Sequence, residues 1–128
     1  MSPLWALSDS DGQASFRVDQ QDGCAVVTVS GDIDLATASA LREAMATAAQ
    51  ASERIVVDLA SVTFMDMHGL SALLSARPLH TPQGPLSLVR PAPMVRKVIR
   101  MTRLDEVLPV YESLHDALAS SDGQSDSV

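Results

Sequence analysis

The chain has 128 residues, a formal net charge of -7, 46% hydrophobic residues, 3% aromatics and one cysteine. That size suits a single domain with an aliphatic, alanine-rich core, and the lone Cys24 excludes an internal disulfide and fits a reducing compartment. The acidic balance excludes the basic footprint of a nucleic-acid binder, and no apolar run approaches the roughly 18 residues of a membrane span, so a cytoplasmic protein without DNA binding or membrane insertion is expected.

Residues 1–13 are polar around one short apolar cluster and read as a flexible N-terminal segment. Their start carries no basic residue and soon meets Asp9 and Asp11, unlike a secretory leader. Ser15 to Asp19 alternates as a first strand. Gln20 to Gly23 is a turn ending in the Asp-Gly pair of a hairpin. Cys24 to Ser30 is a second, more buried strand, ended by Gly31, and a buried thiol is expected at Cys24. Thr37 to Gln50 reads as a helix because Ala38, Leu41, Met45 and Ala48 recur at helical spacing, with Asp34 or Thr37 as its cap.

Arg54 to Leu59 is a continuous apolar run rich in β-branched residues, the pattern of a central parallel strand. A second helix runs from about Met67 to Ala76, where Pro78 stops it. Thr81 to Pro85 is a loop, and Leu86 to Arg90 a strand. Met94 to Thr102 is a third helix with Val95, Val98 and Ile99 facing inward. Val107 to Tyr111 is a short last strand, Ser113 to Ala119 a terminal helix, and residues 120–128 a disordered tail. Alternating strands and helices imply an α/β fold whose mixed, mostly parallel sheet is backed by about four helices.

Charge is unevenly spread along this order. No acidic residue occurs from Met67 to Leu104, which holds Arg77, Arg90, Arg96, Lys97, Arg100 and Arg103. Such a division can steer a charged partner toward one side.

Two short motifs are the most specific feature. Gly31-Asp32-Ile33-Asp34 is followed by Thr37-Ala38 and Leu41, and Val62-Thr63-Phe64-Met65-Asp66-Met67-His68-Gly69-Leu70 joins a strand to a helix. Together they resemble the STAS family, the anti-sigma factor antagonists of bacterial regulatory switches. The resemblance spans residues 14–119 and implies a single STAS domain. In that family the second motif usually reads Phe-Met-Asp-Ser-Ser-Gly-Leu, and a partner kinase phosphorylates the serine directly after the aspartate. Here that position is Met67, a thioether that cannot accept phosphate, and it should stay permanently uncharged.

Asp66 is expected to cap the helix it precedes. Met67 reads as a contact residue, with a core position as its other reading. His68 is a lone histidine without ligand spacing to His80 or His115, and neither a metal nor a cofactor is expected. Asp66, Met67, His68, Leu70 and Ser71 form the expected partner-binding stretch. Arg96, Arg100 and Arg103, spaced four and three apart, form one basic helical stripe that reads as a solvated face; the resemblance implies that this helix lies on the partner-binding side, where the arginines would suit an acidic groove. Thr63 is the best substitute hydroxyl for phosphorylation, a structural hydrogen bond being its other role.

No nucleophile elbow, phosphate-binding glycine loop or metal cluster is present, so no enzyme is expected. The resemblance implies binding to a kinase-like anti-sigma factor and so control of sigma factor release. A homodimer remains open. The rival reading is a STAS subunit of a transporter, of the lipid-transport ATPase type, or of a sensory complex.

Overall fold

The computed structural model describes residues 3–8, 13–76 and 86–123. Six strands form one sheet in sequence order: β1 (Trp5–Ser8), β2 (Ala14–Gln21), β3 (Cys24–Ile33), β4 (Ile55–Met65), β5 (Leu86–Val89) and β6 (Val110–Tyr111). The first three pair antiparallel, and β3 to β6 run parallel. The parallel strands are joined through α1 (Leu35–Ala51), α2 (Met67–Leu73) and α3 (Pro93–Met101), and α4 (Leu114–Gly123) is the last of the described elements. This is the single α/β domain the sequence implied, with six strands and four α-helices among the described residues.

Side-chain alternation along the strands divides the core in two. Ala25, Val27, Val29, Ile55, Val57, Leu86 and Leu88 pack with α1, α2 and α3 in the larger cluster. Cys24, Val26, Val56 and Val89 face the other way and meet Ala117 and Leu118 of α4. Cys24 is a buried free thiol, so the apolar strand run holds it as expected. The β2–β3 turn uses Asp22 and Gly23, both with positive φ, the geometry that matches strand twist in a two-residue hairpin.

Several element limits differ from the sequence reading. The apolar cluster inside residues 1–13 forms β1, paired with β2 from Trp5↔Val18 to Ser8↔Ser15. Gly31 does not end β3; at φ 89 it lets the chain continue to Ile33, and a Cβ there would stand 2.0 Å from the Gln13 carbonyl oxygen. β4 does not stop at Leu59. It runs on to Met65 through two register shifts against β3, between Thr28 and Ser30 and between Gly31 and Asp32. Each shift opposes an extra β4 residue to β3, so strict alternation is lost and the sequence pattern with it.

The expected second helix is α-helical only to Leu73 and tightens to a 3-10 turn over Leu74–Ala76. The last strand keeps only Val110 and Tyr111, because Leu104–Glu106 forms another 3-10 turn before it. α4 reaches Gly123, beyond the expected start of the tail at Ser120. Pro78, the Thr81–Pro85 loop and residues 124–128 lie outside the described residues.

Candidate functional site

Two strand-to-helix turns lie next to each other at the C-terminal edge of the parallel strands. Ile33 ends β3, Met65 ends β4, and the two are register partners. One residue further, Asp34 and Asp66 are helix caps; one more, Leu35 and Met67 are the first residues of α1 and α2. The turns are tied together, since the Asp66 amide donates to the Ile33 carbonyl at 3.2 Å. Gly69 permits the close fit. A Cβ on it would lie 2.8 Å from both Ile33 Cγ2 and the Ile33 carbonyl oxygen.

Each cap answers helix-start amides that lack intrahelical partners. The Asp34 carboxylate accepts from the Ala36 amide at 3.0 Å and from Gln13 Nε2 at 3.2 Å. Thr37 Oγ1 accepts from the Asp34 amide at 3.0 Å, so the two alternative caps read from the sequence act together. Asp66 Oδ1 accepts from the amides of His68 at 2.9 Å and Gly69 at 3.3 Å, with His68 Nδ1 at 3.4 Å. Partial desolvation, the largest single influence on the Asp66 carboxyl, pushes its pKa up. The Gly69 and His68 amides and the His68 ring outweigh it together, leaving the carboxyl below its ordinary value.

Around these caps the surface is apolar. Met67 is 63% exposed, which sets aside the core reading, and Leu35 is 71% and Phe64 40% exposed. Asp32, the register partner of Phe64, lies in the same edge. It accepts a hydrogen bond from the Thr63 hydroxyl. Thr63 thus makes the structural hydrogen bond that was its other role, and a phosphate there would stand against a carboxylate. The rim of this patch, formed by Asp32, Asp34 and Asp66, is acidic.

His68 and Ser71 are exposed beside Met67. Leu70 is not; it is buried with Ala72 and Leu73 in the large core cluster, on the inner side of α2. Leu70 therefore supports the surface from beneath instead of joining it. The basic stripe is also broken. α3 ends at Met101, and Arg103 follows it in the left-handed conformation (φ 59), off the helical line of Arg96 and Arg100.

Nor does the charge division of the sequence survive intact in space. Arg90 pairs with Asp58 at 3.1 Å, Arg96 with Glu112 at 3.3 Å and Arg103 with Glu106 at 2.9 Å. Arg100 is exposed on α3, which packs chiefly on β4. Leu35 and Phe64 were missed by the sequence reading. The available signal was the repeated order of a capping aspartate followed by a large apolar residue, Asp34-Leu35 and Asp66-Met67.

A family model described as "Mlab, STAS domain" matches residues 16–110. The chain belongs to the STAS domain family. This STAS domain is 32% identical over 110 residues to the anti-sigma-F factor antagonist RsfB of Mycobacterium tuberculosis, a match covering 85% of this chain and 90% of that protein. It is 29% identical over 106 residues to an anti-sigma F factor antagonist of Paenibacillus polymyxa, covering 80% and 91%. The crystal structure of an anti-sigma factor antagonist from Mycobacterium paratuberculosis superposes with a TM-score of 0.78 at 35% identity, covering 91% of this chain and 99% of that one. Among the described residues of this STAS domain, no helix is long and apolar enough to cross a membrane.

Proposed function

We propose that this STAS domain is an anti-sigma factor antagonist that binds a kinase-type anti-sigma factor in the cytoplasm and so controls sigma factor release. It acts by binding and not by turnover. The observation that carries the reading is the exposed, uncharged Met67 at the first position of α2, flanked by exposed Leu35 and Phe64. The names of its relatives support the same reading.

The contact surface is centred on Met67, Phe64 and Leu35, with Asp66, His68 and Ser71 at its margin. Methionine at its centre gives an adaptable apolar contact. The aspartates around it suit a partner whose apolar contact is bordered by lysine or arginine. A phosphoserine at this point would bring about -1.5 to -2 charges into the patch, next to Asp66 and Asp32, and repel such a partner surface. Met67 leaves nothing to phosphorylate there. Thr63 is held by Asp32, so the domain stays in the binding-competent condition, and control passes to its abundance or to a competing partner.

Calorimetric titration with the kinase-type anti-sigma factors of its own organism tests this. Saturable binding that persists in ATP and is weakened at least tenfold by Met67→Asp supports the reading. Absence of binding to every such factor overturns it.

A further inference from the structure

We infer that this STAS domain pairs with a second copy of itself through β1, forming one continuous sheet across two protomers. β1 is the outer strand of the sheet, and among the described strands only β2 pairs with it. An outer strand presents unpaired backbone donors and acceptors, which proteins commonly guard with charges, bulges or extreme shortness. The opposite edge follows that rule, since β6 has two residues. β1 does not. Leu4 to Ser8 contains no charged residue although the chain as a whole carries -7, so this stretch meets a copy of itself without like-charge cost. Its regular pairing with β2 shows no register shift from Trp5 to Ser8.

The side chains agree with self-pairing. Leu4 is 48% and Leu7 42% exposed. Trp5 is partly buried against the large core cluster and fixes the strand to its own domain. Two antiparallel copies related by a two-fold axis through the sheet keep like faces together, which requires the paired residue numbers to sum to an even value. The register centred on Ala6 satisfies this. It sets Trp5 of each copy beside Leu7 of the other on the α1 side, and Leu4 beside Ser8 on the opposite side. Aromatic and aliphatic cross-strand neighbours of that kind are favourable. The strand is short, so the dimer is a weak one that forms at high protein concentration. The inference stands independently of the proposed partner, because β1 is separated from the Met67 surface by β2 and β3, and both such surfaces stay open in the dimer.

Sedimentation equilibrium of the full chain across a wide concentration range tests it, beside Leu7→Lys and a control, Val107→Lys. Val107 is 54% exposed beyond α3 and undergoes the same charge change. The expected result is a mass rising from 13.6 kDa toward twice that value, abolished by Leu7→Lys and kept by Val107→Lys. Amide exchange over Trp5–Ser8 should slow as concentration rises. A mass that stays monomeric at every concentration, or a dimer that survives Leu7→Lys, overturns the proposal.

Discussion

Asp34 and Asp66 each stand one residue past a pair of register partners, Ile33 and Met65, and each caps the helix that begins immediately after it. The two turns are therefore parallel copies of one device. Each cap fixes a helix start, and the next residue, Leu35 or Met67, is held at the edge of the sheet with its side chain in solvent. The proposed contact surface arises from this duplication more than from either motif alone.

Removing one cap should loosen one half of the device. Asp66→Ala is expected to cost about 1 kcal/mol, the usual value for losing an aspartate cap, read by urea unfolding. Asp66→Asn, which can still accept from the amides, should cost less. Because the Asp66 carboxyl titrates below its ordinary value, its charge contributes stability that is present above the unfolded-state pKa and lost as pH falls through the folded one. The window lies below about pH 4. Unfolding curves of Asp66→Asn should depend less on pH there than those of the unaltered chain.

Gly69→Ala gives a prediction whose sign is informative. In an exposed helix interior, replacing glycine by alanine gains about 1 kcal/mol. Here the new Cβ would press on Ile33 at 2.8 Å and on Met65 Cγ at 2.9 Å. The variant should lose about 1–3 kcal/mol, measured by chemical denaturation, and partner affinity should fall with it as α2 is pushed off the end of β3. A gain in stability would show that the turn-to-turn fit is looser than described.

Leu35→Asp should weaken partner binding about tenfold or more while leaving the unfolding midpoint nearly unchanged, since Leu35 is 71% exposed. Leu70→Ala should do the opposite. Its side chain is buried, and truncation should cost about 2–5 kcal/mol. Comparing affinity and stability for the two variants separates the contact surface from its support.

Thr63→Val removes the hydroxyl that bonds Asp32. The expected loss is about 1 kcal/mol in thermal or urea unfolding, with partner affinity retained within a few-fold. Thr63→Glu would set a second carboxylate against Asp32 and should destabilise more than Thr63→Val.

Much of this was legible in the sequence, for identifiable reasons. Helix α1 was readable because Ala38, Leu41, Met45 and Ala48 are all buried on one face. The Asp22-Gly23 hairpin was readable because its turn needs positive φ at both positions. The Asp66 cap followed from its place before a helix. What escaped the sequence was set by tertiary pairing. The end of β4 is hidden by register shifts that bury Val62 and Met65 while exposing Thr63 and Phe64. β1 is too short and too polar in its surroundings to announce itself. Leu35 continues the apolar spacing of α1, yet as its first residue it projects beyond the sheet. The arginines shared a spacing in sequence that the end of α3 at Met101 interrupts.

The central claim is that the binding surface cannot be switched by phosphate. The most direct test incubates the unaltered chain and Met67→Ser with their kinase-type anti-sigma factor and ATP, then measures phosphate on each chain by intact mass and the affinity that remains. The unaltered chain should take up no phosphate and keep its affinity, whereas Met67→Ser should be phosphorylated and then lose binding. Phosphate on the unaltered chain, at Thr63 or any other hydroxyl, accompanied by loss of binding, would contradict the account.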